Sequence, residues 1–170
     1  MIRVQGKGEW ENLDELDADE LLKEIRPDAE AAVFEAALHM ANAVKRTLTG
    51  TRSGETYRVP LRKNSRGALR DHVASKPGEP PAVLYGSLRN SVGNSKPTWF
   101  GPYSVSAEYG PGLAQGPKAV RDAARAYARR LEYGGGDSRG VYIAKRPYME
   151  PTQQRETPKV ERILARVAGG

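Results

Sequence analysis

The chain has 170 residues and a net charge of +6, with 38% hydrophobic, 28% charged and 7% aromatic residues and no cysteine. This length suits one domain with a real core, and the missing thiols exclude disulfides, thiolate metal sites and cysteine catalysis. The first residues, MIRVQGKGEW, hold no apolar leader core, and no window reaches the roughly 18 apolar residues of a membrane span, so the chain reads as made in the cytoplasm with no membrane partner.

Residues 1–26 read as an acidic arm. A short strand or loose segment over 1–8 is followed by EWENLDELDADELLKEIRP. There the spacing of Leu13, Leu16, Leu21, Leu22 and Ile25 predicts short amphipathic helices, broken near Asp17–Asp19, with Asp19 as a cap. Residues 27–170 form the main domain. Pro27 is placed to open a helix, and Val33, Ala37, Met40, Val44 and Leu48 make one apolar stripe. Gly50 stops the helix, which runs roughly 33 Å from Pro27 to Leu48. Its alanines (Ala36, Ala37, Ala41, Ala43) allow close approach of a neighbour.

Thr56–Val59 predicts a strand ended by Pro60, and residues 60–83 read as an irregular basic loop. Leu84, Leu88 and Val92 predict a short helix. Tyr103, Val105, Ala107 and Tyr109, alternating with Ser104, Ser106 and Glu108, predict one strand. Val120, Ala124, Tyr127 and Leu131 mark a basic amphipathic helix over 119–131. VYIA is a short strand, and a last helix runs from Pro151 through Val160, Ile163, Leu164 and Val167. The expected class is α+β: a long N-terminal helix packed on a small antiparallel β-sheet, with further short helices and long loops.

No chemistry emerges. His39 and His72 lack metal-ligand spacing, and DELDADE has no calcium-loop framework. There is no GxSxG elbow, and YGGGD is not followed by Lys-Ser/Thr as a phosphate loop requires. The chain reads as a non-enzyme without cofactor or metal. Charge is informative instead. Residues 1–36 hold 11 Asp/Glu and 4 Lys/Arg (−7), and the rest hold 10 and 23 (+13). Two solvated faces, self-association of acidic with basic parts, and contact with DNA all fit that asymmetry. The basic runs Arg62, Lys63, Arg66, Arg70 and Arg121, Arg125, Arg129, Arg130 suit non-specific backbone contact, but no sequence-reading motif is present.

Motif order says more than any single motif. GETYR, HVASKPGEPPAVLYGSLRNSV, YARRLEYGGG and RPYMEPT occur in that sequence. On these the chain resembles the neck and minor tail-component family of long-tailed bacteriophages, of which the lambda minor tail protein Z is a distant relation. The matching positions include Tyr57, Ala74–Ser75, Pro77–Pro81, Gly86, Leu88–Arg89, Ser91, Tyr127–Ala128, Glu132, Gly134, Arg146–Tyr148 and Pro151. Tyr85, Gly135, Tyr148 and Thr152 depart from the residues usual there, and residues 1–28 have no counterpart.

The resemblance implies a structural virion protein of the head–tail interface, joining tail to head or completing the tail, assembled in the host cytoplasm. It implies a homo-oligomeric ring, expected as a hexamer. Its partners would be the head connector, adaptor or stopper proteins and the tail terminator or tail tube protein, with non-specific contact to genomic DNA in the lumen. A tail terminator capping the tube is the close alternative, and a basic nucleic-acid-binding module the alternative of another class. A stiff proline-rich segment has little entropy to lose on docking. Pro77, Glu79, Pro80, Pro81, Arg89, Glu132 and Arg146 are the candidate subunit or partner contacts, and Arg146 is a candidate arginine partner for Glu132.

Overall fold

The computed structural model describes residues 2–3, 18–61, 67–136, 140 and 142–168. The α+β class stands. Helix α1 spans Ala18–Thr49, α2 Ser87–Ser91, α3 Lys118–Tyr133 and α4 Met149–Ala168. Strands are β1 Ile2–Arg3, β2 Thr56–Pro60, β3 Leu69–Val73, β4 Val92–Asn94, β5 Thr98–Trp99, β6 Val105–Ala107, β7 Tyr109–Pro111, β8 Gly135–Gly136 and β9 Tyr142–Ile143. All described pairings are antiparallel: a three-stranded sheet ordered β1-β6-β5, and the pairs β2-β3, β4-β7 and β8-β9.

Helix α1 is the spine, about 48 Å long for its 32 residues. The predicted stripe is buried along its whole length, and Ala32, Ala36, Ala41 and Ala43 are buried beside it. Three clusters form around it. Ala32, Ala36 and Met40 meet Val160 and Ile163 of α4. Val33 and Ala37 meet Val105 and Ala107 of β6. Ala41, Val44 and Leu48 meet Val92, Ala128, Leu131 and Tyr148. α4 runs antiparallel to α1, since Thr47 bonds Thr152 (2.8 Å), His39 bonds Glu156 (2.8 Å) and Glu35 pairs with Arg166 (2.8 Å). His39 is therefore an interhelical hydrogen-bonding residue.

Several boundaries differ from expectation. Pro27 lies inside α1 and does not open it. An interior proline costs about 3 kcal/mol, and flanking contacts offset this. Arg26 lies over the Trp99 ring, 5.0 Å from its centroid, and the Trp99 indole N–H donates to Glu30. The expected irregular stretch 60–83 contains β3, which pairs with β2 from Thr56↔Val73 to Pro60↔Leu69. Pro60 tolerates this as the terminal pair, where its missing N–H costs no interior ladder bond. The expected helix over 84–92 is only one turn, because Gly86 takes φ 76° and Val92 extends into β4.

The single strand expected over Tyr103–Tyr109 is two strands, with Tyr103 in the turn before β6. β4–β5 and β6–β7 are the arms of one interrupted hairpin. Three residues separate Asn94 from Thr98, while two separate their partners Tyr109 and Ser106. That one-residue excess is a bulge. Ser95 bridges it, its N–H bonding the Glu108 carbonyl and its hydroxyl accepting from the Glu108 N–H. The alternation survives the break, with Val105 and Ala107 buried and Glu108 exposed. The predicted stripe of α3 holds only near its end. Ala128 and Leu131 are buried, whereas Val120 is 62% and Tyr127 48% exposed.

Leu48→Ala should cost about 2–5 kcal/mol, the range for a fully buried leucine, whereas Val120→Ala should stay within about 0.5 kcal/mol. Urea unfolding with an unchanged denaturant slope checks both. Equal costs would contradict the described exposure of α3.

Candidate functional site

Residues 75–86 form a strap across one end of the molecule, and five anchors hold it. Arg52, just past the end of α1, donates to the carbonyls of Thr47 and Leu48 and to that of Pro81 (3.1 Å). One guanidinium thus closes the helix C-terminus and ties down the strap, a use that arginine's planar fork of donors permits. The Glu79 carboxylate accepts from the Ser53 hydroxyl, the Ser53 N–H (3.2 Å) and the Lys76 N–H (2.9 Å). Gly78, at φ 87°, makes the turn and donates its N–H to the Lys145 carbonyl (3.0 Å). The Tyr85 hydroxyl donates to the Pro60 carbonyl (3.3 Å), and Arg70 donates to the Leu84 carbonyl.

These contacts place the candidate residues. Pro77 is exposed, Pro80 half-buried and Pro81 buried beneath the strap. Glu79 is engaged inside its own chain, where hydrogen bonds from the Ser53 hydroxyl, then from the N–H groups of Lys76 and Ser53, hold its carboxyl down to about 2. Arg89 is half-buried on α2, and among the described residues its side chain hydrogen-bonds only that of its neighbour Asn90 (3.4 Å). It borders a groove of about 170 Å³ between strap and α3, floored by Leu48 and walled by Tyr127. With Lys45, Arg46, Thr49 and Asn90 it also rims a shallow basic concavity. Among the described residues no carboxylate lies within ion-pair distance of those three cations.

Glu132 does not pair with Arg146. It is 5% exposed, and its carboxylate accepts the N–H groups of Tyr148 (2.9 Å), Met149 (3.0 Å) and Glu150 (3.0 Å). A carboxylate from α3 thereby caps α4, satisfying three orphan donors and opposing the positive helix end. Arg146 is half-buried, and its Nε has no hydrogen-bond partner among the described residues. Arg146 instead donates its backbone N–H to the Leu131 carbonyl (2.7 Å). Tyr148 is fully buried in the core, where burial pushes its phenol up. Arg52 and Ser53 were not singled out from sequence. An arginine two residues past a helix-stopping glycine was the available signal for Arg52.

The strap, the groove beside it and the basic concavity are surfaces on which a partner can be received. No three His, Asp or Glu side chains converge as a metal set among the described residues, and no described helix is long and apolar enough to cross a membrane. No family model, curated protein or solved structure matches the chain.

Glu132→Gln leaves one carbonyl oxygen for three N–H donors. It should destabilise the fold by about 1–3 kcal/mol, the cost of a buried unpaired donor, measured by urea unfolding. For Glu79 the sign follows from a lowered carboxyl. Its contribution to stability is present above the ordinary 4.5 and is lost as pH falls through about 2. Titration of the Glu79 side chain by NMR should give a midpoint near 2, rising towards 4.5 in Ser53→Ala. An unmoved midpoint would refute the Ser53 anchor.

Proposed function

We propose that the chain is a structural subunit of the phage head–tail interface, a neck or tail-completion protein that acts by assembling into a ring. The motif order carries the reading. One observation supports it further: large apolar side chains stand out on projecting elements. Phe100 and Tyr103 lie at the β5–β6 turn, Val120 and Tyr127 on α3, Tyr133 at its end and Tyr142 in β9, all exposed. Apolar surface spread this way suits a subunit whose burial is completed by neighbours. Acidic and basic ends suit a heterologous contact that closes into a ring.

In this reading the strap is a preformed docking edge. Its stiffness comes from proline, and its place from Arg52 and Glu79. The groove beneath Arg89 and the concavity that it shares with Lys45 and Arg46 would receive a neighbour or the connector. A tail terminator role would use the same surfaces at the top of the tube. The nucleic-acid module has one favouring observation, the exposed Arg121, Arg125 and Arg129 beside Tyr127 on α3. It requires DNA affinity of the isolated chain that falls steeply with salt.

Cryo-electron microscopy of particles carrying the protein tests the reading. A ring between connector and tail tube supports it, and density at the tube end alone favours the terminator. Absence from particles, with salt-sensitive DNA binding, favours the module. Arg89→Ala should change folding stability by less than about 0.5 kcal/mol and lower the yield of tailed particles about tenfold, equivalent to roughly 1.4 kcal/mol of contact energy. Unchanged yield removes Arg89 from the interface. Leu88→Asp, which drives a charge into the cluster around Val44 and Tyr148, should unfold the α2 region in circular dichroism and proteolysis.

A further inference from the structure

Two features at opposite ends of α1 complement each other. The first is the β2–β3 hairpin. One of its faces rests on the strap, with Val59 buried and Tyr57 edge-on to His72 at 5.3 Å. The opposite face, set by the register Pro60↔Leu69 and Thr56↔Val73, carries Leu69 at 47% and Val73 at 38% exposure. Leu61, at the strand end, is 53% exposed. Residues 56–73 hold five Lys/Arg (Arg58, Arg62, Lys63, Arg66, Arg70) and one acid, Asp71, a net of +4.

The second feature is a groove of about 480 Å³ between the first half of α1 and the end of α4. Its floor is apolar, formed by Ile25, Ala32, Ile163 and Val167; Glu24 and Asp28 stand on its rim beside the Glu35–Arg166 ion pair (2.8 Å), which leaves the rim net acidic. The chain leading into α1 is acidic throughout, with seven Asp/Glu and no Lys/Arg over residues 9–20.

A single chain keeps these two apart. The hairpin is fastened at the far end of α1, where Gly54 donates to the Ala74 carbonyl, and it packs on the strap. From Asp28 to Thr49, α1 runs about 32 Å at its usual rise per residue. A hairpin segment of basic sequence, whose outer face carries Leu69 and Val73 about an Arg58–Asp71 cross-strand pair, and an apolar groove with Glu24 and Asp28 on its rim, at opposite ends of one rod, meet when copies line up head to tail. We infer that the β2–β3 hairpin of one copy docks into the α1–α4 groove of the next, the repeated contact from which the ring is built. The contact is heterologous, so rotation per subunit sets closure. Apolar burial of Leu69 and Val73 supplies affinity, and the opposed charges fix direction. This rests on the assembly reading above, and names the segment and the surface that reading leaves open.

The absence of native cysteine makes the test clean. Leu69→Cys chains and Ile25→Cys chains are mixed and treated with a short bismaleimide, with light scattering run in parallel. The expected result is a covalent dimer in the mixture and none with either chain alone, while the double variant gives a ladder. Mixing Leu69→Cys with Val120→Cys should give no product. Glu24→Lys with Asp28→Lys in the Ile25→Cys chain should lower dimer yield about tenfold. No dimer in the mixture overturns the inference, whatever the scattering reads. Assembly without that dimer leaves the ring reading standing with another contact. If neither dimer nor assembly appears, the particle images decide the ring reading separately. An intrachain link in Leu13→Cys/Ile25→Cys would give the groove to the chain's own acidic arm, and would equally overturn the inference.

Discussion

From Ala32 to Leu48, helix α1 is enclosed on three sides, and every other element is placed by what it lays against that enclosure. Among the described residues, nine of the eighteen buried hydrophobics belong to α1. Alanines at 32, 36, 37, 41 and 43 contribute little area each, but they let α4, β6 and the β4–α3 layer approach closely. Dispersion then acts over many short contacts. Large side chains on all three faces would hold the neighbours apart and leave voids. The short strands follow from this arrangement. Two- and three-residue ladders are marginal alone, and here they persist because their inward residues Val92, Val105 and Ala107 are already seated on the helix.

Polar anchoring sets angles that apolar contact leaves free. Glu132 joins α3 to the start of α4, and Arg52 joins the end of α1 to the strap. Each satisfies backbone groups that would otherwise be orphaned at a helix end. A second polar seam runs along α1 and α4 through Thr47, Thr152, His39 and Glu156. The Glu156 carboxyl is held below its ordinary value, first by Arg155 and then by His39. These groups fix the sliding position of two helices whose contact ridges are small and smooth.

The outward surface has a different character at each end. Acidic residues are concentrated in the sequence up to the first turns of α1, and Lys45, Arg46 and Arg89 share one concavity around its end. Exposed aromatics sit on turns and on α3. A polar rod with apolar projections has an incentive to associate in one direction, and the proposed ring is the closed form of that association. Within it a strap already held by five anchors would dock with little further ordering.

Much of this was legible in the residues. The period of Val33, Ala37, Met40, Val44 and Leu48 dictated a buried helix, the alternation around Val105 and Ala107 dictated a strand, and charge counts separated an acidic first segment from a basic remainder. Those signals are local, so sequence carries them. Where contacts are distant, sequence was silent. Pro27 reads as a helix start until Trp99 is seen holding both sides of it, and Leu69–Val73 reads as loop until Thr56–Pro60 supplies its hydrogen bonds. Val120 and Tyr127 follow the helical period, yet only the body's extent left them in solvent. Glu132 was marked for an arginine, and only the folding of α4 onto α3 offered it three backbone donors instead. Sequence alone determined which residues seek burial and with what period. The tertiary structure decided which partner each one found, because hydrogen-bond donors and apolar faces far apart in the chain become neighbours only after α1 is enclosed.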